Sequence, residues 1–191
     1  IQSIVLRIIE ILIVLDCRVH VGTATMPTEL YKRILELLGG PSEVYEVKLA
    51  PNTLASFNRH QIYKLASHED AFEVISSAVK KHSKLLIVCN QVKRAQEFYE
   101  EIDELYPDIR KMLIHSRYKR NDRARLETDL RTDFNILEDT PCIVVSTQVV
   151  EVSLDISFDV MVTECAPIDA LVQRFGRINR KRSLETIGHY K

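Results

Sequence analysis

The residues best suited to chemistry lie near the C-terminus, where Arg174, Arg177 and Arg180 follow one another at intervals of three, with Gly176 between the first two. A guanidinium group can neutralise the charge that develops on a γ-phosphoryl group during transfer. A neighbouring glycine lets the main chain and the guanidinium come close to a phosphate. The same spacing also fits the solvated, basic end of a helix. The spacing alone leaves both interpretations open.

A second set of polar residues follows three apolar runs of the chain. In chain order these residues are Asn90 and Gln91, then Ser116 and Arg117, then Ser146, Thr147 and Gln148. In parallel sheets, ligands bind beyond the carboxyl ends of the strands, and hydroxyl, amide and guanidinium groups suit phosphates and sugars. The alternative is that each group merely caps a helix. Three such groups together favour a site for a polar ligand.

The elements that must position these residues can be predicted from hydrophobic patterns. Five short apolar runs without two-residue alternation predict buried strands, over residues 19–24, 85–89, 112–115, 142–146 and 160–163. Apolar stripes of helical period lie between the later runs, over residues 72–79, 95–105 and 126–134. Strands and helices that alternate in this way predict an α/β fold with a parallel sheet sandwiched by helices.

The first 41 residues follow a different pattern and predict a separate domain. They read as an apolar helix or strand, a strand that ends near Thr23, and a helix through Leu38 that stops at Gly39, Gly40 and Pro41. We interpret residues 1–41 as the tail of a preceding domain and residues 42–191 as a second domain. The chain is therefore expected to be a piece of a longer protein.

Composition limits the classes of function. Of the 191 residues, 46% are hydrophobic and 28% are charged, which is typical of a globular chain, and the net charge is −1. That charge argues against a domain held to nucleic acid by bulk positive charge, so any such contact must come from local clusters. The longest apolar run, residues 11–15, is too short to span a membrane. The four widely spaced cysteines predict reduced core residues of a cytoplasmic protein.

Three segments resemble motifs of superfamily-two helicases. The hydroxyl pair Ser146 and Thr147, followed after a turn by Asp155, resembles the fifth motif; residues 173–180 resemble the sixth, and residues 23–27 the third. DEAD-box RNA helicases usually begin the sixth motif with His and place Arg-Gly before the Leu-Asp of the fifth. Gln173 and the pair Val152-Ser153 depart from that pattern.

The finer resemblance is to the CRISPR-associated helicase-nuclease of type I systems. It rests on the identity of the residues at positions 146–151 and 154–156, at positions 114–118 with Asp122 and Arg123, and at positions 90–96. It spans roughly residues 20–182. The resemblance implies that residues 42–191 form the second, C-terminal RecA-like lobe of the helicase, and that residues 1–41 are the end of the first lobe, including its third motif.

The resemblance also implies roles for residues that would face a nucleotide between two lobes. Arg177 and Arg180 match the arginine fingers, and Gln173 would couple the nucleotide to the facing lobe. Asp155 would accept a hydrogen bond from a ribose hydroxyl or water. For Arg174 the resemblance leaves two roles open, a structural ion pair or a phosphate contact.

Further roles concern the nucleic acid and the connection between lobes. Ser146 and Thr147 match positions that hold the nucleic-acid backbone, and the track is expected to continue through Asn90, Gln91, Ser116 and Arg117. For Asn90 and Gln91, strand capping is a serious alternative. Thr23 and Thr25 match the motif that couples the two lobes.

Equally informative is what the sequence lacks. It contains no GxxxxGK[ST] phosphate loop, and its one Asp-Glu pair, Asp103-Glu104, lies in a helical pattern instead of after a buried strand. No His is followed by Asp, as the metal-binding pair of the family's nuclease domain would require. ATP with Mg²⁺ would therefore be bound mainly by the absent first lobe, no metal ligands are predicted in this chain, and the chain alone is expected to be inactive.

The sequence thus predicts the second motor lobe of an ATP-dependent helicase or translocase that acts on single-stranded DNA in CRISPR interference. Its expected partners are single-stranded DNA, the first RecA-like lobe of the same protein and a CRISPR surveillance complex, without a membrane. The alternatives are a lobe of an ATP-dependent RNA helicase and a non-catalytic RecA-like binding module. In the motor interpretation, the arginines near the C-terminus and the hydroxyls of Ser146 and Thr147 face outward from one edge of the sheet.

Overall fold

The computed structural model describes residues 2–23, 26–56, 58–135, 140–151 and 154–180. The Cα positions divide the chain into two compact units, Ile1–Thr53 and Leu54–Lys191. The helix α3 (Pro51–Ser56) lies across this division.

The first unit is helical. It contains α1 (Gln2–Val14), α2 (Thr28–Leu37) and a 3₁₀ helix (Pro41–Glu43), and α1 packs against α2 with Ile9 and Ile34 buried. The predicted stop of the second helix is confirmed, because Gly39 and Gly40 follow it with φ of 92° and 107°, which only glycine adopts readily.

The predicted strand over residues 19–24 is wrong for the part that the structure describes. Residues 19–23 are irregular, and residues 24 and 25 lie outside the described ranges. A strand exists only through hydrogen bonds to a neighbouring strand, and the described residues supply no such neighbour here. An apolar run alone therefore overestimates strand structure.

The second unit contains a parallel four-stranded sheet, as predicted. Its strands are β1 (Lys84–Val88), β2 (Arg110–Ile114), β3 (Cys142–Ser146) and β4 (Val160–Thr163), in the order β2-β3-β1-β4. Its helices are α4 (His68–Lys80), α5 (Val92–Leu105), α6 (Arg120–Thr132) and α7 (Ile168–Phe175). The predicted α/β fold, with helices sandwiching the sheet, is confirmed.

Both faces of the sheet are covered, which explains why the strands lack alternation. Successive side chains of a strand point to opposite faces. On one face, Leu85, Ile87, Ile143 and Val145 pack with residues of α4 and α5. On the other face, residues of β1, β2 and β3 pack with α6 and Phe134 and with apolar residues from 149–150 and 154–158; these are Leu86, Val88, Met112, Ile114, Val144, Leu130, Phe134, Val150, Ile156 and Phe158.

The connections of β1 and β3 create a crevice at the carboxyl edge of the sheet. The two strands are neighbours, yet β1 continues toward β2 at one side of the sheet and β3 continues toward β4 at the other. Parallel sheets bind ligands where neighbouring strands send their connections in opposite directions. The polar residues after β1 and β3 lie at this point.

The cysteines only partly follow the prediction. Cys89 and Cys142 are buried, and burial raises the pKa of their thiols to about 12 and about 11. Cys17 and Cys165 are exposed, so the prediction of core residues is wrong for them: Cys17 follows α1 and Cys165 follows β4, beyond the packed elements. In the described part of the chain, no helix combines the length and apolar character needed to cross a membrane.

Ile143 tests the contribution of the sheet to stability. Its side chain is fully buried in the central strand β3, so Ile143→Ala leaves a cavity and should lower the free energy of unfolding by about 2 to 5 kcal/mol, measured by urea denaturation. Ile62→Ala is the control, because Ile62 is exposed and should change stability by less than about 0.5 kcal/mol. Equal effects of the two substitutions would contradict this core.

Candidate functional site

The sheet brings the predicted track residues to one edge. Each group directly follows the carboxyl end of a parallel strand or forms it: Asn90 and Gln91 after β1, Ser116 and Arg117 after β2, and Ser146 with Thr147 at the end of β3. Gln91, Ser116 and Arg117 are exposed to solvent. Gln91 also stands directly before α5, but its side chain makes no capping hydrogen bond to that helix.

Ser146 and Thr147 do not face outward, so that expectation is wrong for this structure. Ser146 is 0% exposed and Thr147 2% exposed, and the Ser146 hydroxyl donates to the Thr147 carbonyl oxygen at 3.0 Å. The reason is their place in the sheet, because β3 lies between β2 and β1 and is covered on both faces. The two residues therefore lie beneath the surface at the carboxyl edge of the sheet.

Asn90 is bonded through all of its polar groups. Its Oδ1 accepts from Arg174, its Nδ2 donates to the Cys165 carbonyl at 2.8 Å, its main-chain N–H donates to the Glu164 carboxylate, and its carbonyl accepts from Gln148 Nε2 at 2.9 Å. Asn90 thus joins the ends of β1 and β4 to the residues after β3. Its side chain is committed inside the protein.

Arg174 forms a structural ion pair, which is the first of the two roles that the resemblance to helicases leaves open for this residue. Its side chain is 1% exposed, and Nε donates to the Glu151 carboxylate at 2.8 Å. Nη1 donates to Thr163 Oγ1 at 2.8 Å and Nη2 to Asn90 Oδ1 at 2.9 Å. These bonds attach α7 to the ends of β1 and β4 and to the 3₁₀ helix Gln148–Glu151.

Arg177 is buried as well, so the expectation that it faces outward is wrong for this structure. Its Nη1 donates to the carbonyl of Leu154 and its Nη2 to that of Glu151, and its Nε is buried without a partner. Burial lowers the pKa of its guanidinium, and the nearby charge of Arg180 lowers it further. Gly176, which precedes Arg177, stands in a close-packed turn, where a Cβ would lie 3.2 Å from the Gln173 carbonyl oxygen.

Arg180 and Asp155 form an exposed ion pair that unites two of the predicted nucleotide residues. Arg180 Nε lies 2.9 Å from Asp155 Oδ1, and the two side chains are 41% and 71% exposed. Two further contacts hold residues 178–180 against residues 157–158. The Arg180 main-chain N–H donates to Ser157 Oγ at 2.9 Å, and Phe158 pairs with Ile178 as a short parallel bridge. Gln173 lies half-buried on α7.

All three arginines therefore bind residues that follow β3, namely Glu151, Leu154 and Asp155. Sequence reasoning missed Glu151 and Glu164, which hold Arg174 and the Asn90 main chain. The sequence does indicate Glu164, because it directly follows β4. Polar residues after the carboxyl ends of the other three strands are taken as candidates, and the same criterion selects Glu164. Glu151 lies within a helicase-like motif, but its spacing gives no sign of its partners.

His115 packs at the end of β2. Its ring stacks on that of Tyr118 at 4.3 Å between centroids, and its Nδ1 is buried without a partner. Burial lowers the pKa of the His115 imidazole, and the charge of Arg117 acts in the same direction. A neutral ring fits this packed position.

The donor set fits only part of a nucleotide site. Arg180 offers an exposed cation for phosphate and Asp155 an acceptor for a hydroxyl, but no cluster of three His, Cys, Asp or Glu capable of holding a metal occurs among the described residues. Thr23 is exposed and irregular, whereas Thr25, Val152 and Ser153 lie outside the described residues.

Comparison with known proteins agrees with this fold. Residues 81–183, more than half of the chain, match the family model of the CRISPR-associated nuclease/helicase Cas3, C-terminal. A curated relative, the putative CRISPR-associated nuclease/helicase Cas3 of Myxococcus xanthus, is 34% identical over 166 residues, which cover 85% of this chain and 21% of the relative.

Two solved structures are similar. A crystal structure of a CRISPR-associated protein matches with a TM-score of 0.69 and 26% identity, covering 97% of this chain and 24% of that one. T. fusca Cas3 with AMPPNP matches with a TM-score of 0.55 and 25% identity, covering 69% of this chain and 16% of that one.

The fold and the matched region define a helicase C-terminal lobe. The chain belongs to the family of CRISPR-associated nuclease/helicase Cas3 C-terminal domains. It spans about a fifth of the length of its M. xanthus relative.

The ion pair of Glu151 and Arg174 gives a stability prediction. Glu151→Ala leaves a buried guanidinium without its carboxylate, and should lower the free energy of unfolding by about 3 to 5 kcal/mol in urea denaturation. The control is Glu97→Ala, which removes the exposed pair with Lys93 and should cost less than about 1 kcal/mol. A loss from Glu151→Ala no greater than the control would show that Arg174 does not depend on Glu151.

Proposed function

We propose that this lobe is the second motor lobe of an ATP-dependent helicase or translocase that acts on single-stranded DNA in CRISPR interference. The observation that carries the proposal is that Arg174, Arg177 and Arg180 bind Glu151, Leu154 and Asp155, which follow β3, while Gln91 and Arg117 stand exposed at the carboxyl edge of the sheet. Membership of the Cas3 C-terminal family supports it.

On the nucleotide side, Arg180 is the residue best placed to reach a phosphate. It is exposed, and its partner Asp155 is a single carboxylate at the surface. A nucleotide phosphate would compete with that carboxylate for the guanidinium, and Asp155 would then be free to accept from a ribose hydroxyl or water. Arg177 would exchange two main-chain carbonyls for phosphate oxygens, which form stronger, charge-assisted hydrogen bonds.

The nucleotide itself would be ATP with Mg²⁺, bound mainly by the first RecA-like lobe, and its hydrolysis would supply the energy for movement. The similarity to T. fusca Cas3 with AMPPNP supports the use of a nucleotide. Arg177 and Arg180 would support the charge on the transferring phosphoryl group, and Gln173 would couple the nucleotide to the facing lobe. Without that lobe the chain would be inactive.

On the nucleic-acid side, the contact surface consists of Gln91, Ser116 and Arg117, which are exposed after β1 and β2. Ser146 and Thr147 would support this surface from below. Amide, hydroxyl and guanidinium groups bind phosphates without reading bases. The track should therefore show little sequence preference, as a translocating motor requires.

Arg180→Ala in the complete protein tests the finger role. The loss of a cation at the transferring phosphoryl group should reduce ATP turnover by about 10³-fold or more, with ATP affinity changed by only a few fold. Turnover is measured with single-stranded DNA at saturation. Arg125→Ala, at an exposed position of α6, removes the same charge elsewhere and should leave turnover unchanged.

The same measurement distinguishes the alternatives. Unchanged turnover in Arg180→Ala would remove Arg180 from the finger role. An ATP turnover that RNA stimulates and DNA does not would overturn the DNA assignment in favour of an RNA helicase. Absence of turnover in the complete wild-type protein would favour a non-catalytic binding module.

Arg117→Ala tests the track. The loss of one exposed phosphate contact should weaken single-strand binding by about tenfold for all sequences. It should also reduce the slope of log Kd against log salt by about 0.7. Fluorescence anisotropy with several oligonucleotides of unrelated sequence measures both quantities, and Arg125→Ala again serves as the charge-matched control. A loss confined to particular sequences would instead indicate base reading.

A further inference from the structure

Asn90 occupies the junction between the two halves of the site. Next to it in sequence stands the exposed Gln91 of the track, and across the edge of the sheet its Oδ1 accepts from Arg174 Nη2 at 2.9 Å. Its Nδ2 donates to the Cys165 carbonyl, so both ends of the amide are used. The side chain therefore has a defined orientation, with oxygen toward Arg174.

Arg174 in turn determines where the following arginines lie. Its guanidinium is held from three directions, by Glu151, by Thr163 and by Asn90. Glu151 also accepts from Arg177 through its main-chain carbonyl, so both arginines depend on the same residue. A shift of the Arg174 guanidinium would move α7 and the chain that leads to Arg177 and Arg180.

We propose that Asn90 is a positioning residue for ATP hydrolysis, which acts by holding Arg174 and thereby the placement of Arg177 and Arg180. This inference rests on the proposed motor function and replaces the direct nucleic-acid contact predicted for Asn90 from the sequence. It assigns the task of touching the strand to the neighbouring Gln91.

The bonds of Asn90 favour positioning over direct contact. One of the two N–H groups of Nδ2 donates to the Cys165 carbonyl, so only the second could reach a nucleic-acid phosphate, and any rotation of the amide toward that phosphate would withdraw Oδ1 from Arg174. A donor of a fully buried guanidinium would then lack its partner, and an unpaired buried donor is costly. Holding Arg174 incurs no such cost.

The test uses Asn90→Ala in the complete protein, with ATP turnover measured at saturating single-stranded DNA. Misplacement of the arginines should lower kcat by about ten- to hundredfold. The KM for ATP and the Kd for single-stranded DNA should change by less than about threefold. A direct contact would give the reverse pattern, in which Kd rises and kcat is retained at saturation.

Ile143→Ala is the control for loss of stability. Its side chain packs on the face of the sheet that α4 and α5 cover, whereas Leu154, Phe158 and Ile178 pack on the other face. It should lower the free energy of unfolding without lowering kcat of the folded protein. A kcat in Asn90→Ala equal to that of Ile143→Ala would overturn the positioning role.

Thr163→Val keeps the inference testable even if Asn90→Ala does not fold. It removes a second acceptor of the Arg174 guanidinium with little change in side-chain shape, and should lower kcat by about threefold or more at unchanged Kd for DNA. Unchanged kcat would count against the inference. Absence of DNA-stimulated turnover in the wild-type protein would instead refute the proposed motor function, so the two failures are distinguishable.

Discussion

The charge of Arg174 is the constraint on which the carboxyl edge of the sheet depends. A buried guanidinium is tolerated only when it is paired and its hydrogen-bond donors are satisfied. The protein meets this requirement with partners from three separate places: Glu151 after β3, Thr163 at the end of β4 and Asn90 after β1. Meeting it therefore assembles the edge, because these segments must converge on one point.

This requirement also explains why the crevice is crowded with internal hydrogen bonds. Glu164 binds the Asn90 main chain and pairs with Arg94, while Gln148 bridges from β3 to Asn90. The bonds of Glu164 and Gln148 to Asn90 join strand ends to one another, and the pair with Arg94 joins β4 to α5. The edge is consequently organised before any ligand arrives, and the cost of ordering it has already been met in folding.

Local patterns predicted much of this fold, and their failures have a common cause. Residues 142–146 and 160–163 were placed correctly as β3 and β4, because apolar runs covered on both faces leave a clear signal. The strand predicted at residues 19–24 failed because pairing depends on a neighbour that a local pattern does not contain. Motif positions located the site, but the burial of Ser146, Thr147 and Arg177 follows from the order of the strands and the path after Gly176, and both are properties of the assembled sheet.

The three arginines are evenly spaced in the sequence, but they differ in the free energy needed to break the present bonds of each guanidinium. We rank their proposed roles by this difference. Arg180 is held by one exposed carboxylate, and such pairs contribute at most about 1 kcal/mol, so a phosphate can displace Asp155 readily. Arg177 would give up two main-chain carbonyls and recover charged acceptors, a larger but balanced exchange. Arg174 would abandon a buried carboxylate, which costs about 3 to 5 kcal/mol with no gain at the site. Under the proposed motor function, the three arginines would thus run from a fixed anchor, Arg174, to a cation that a phosphate can release, Arg180, in the order of the exposed fraction of their side chains.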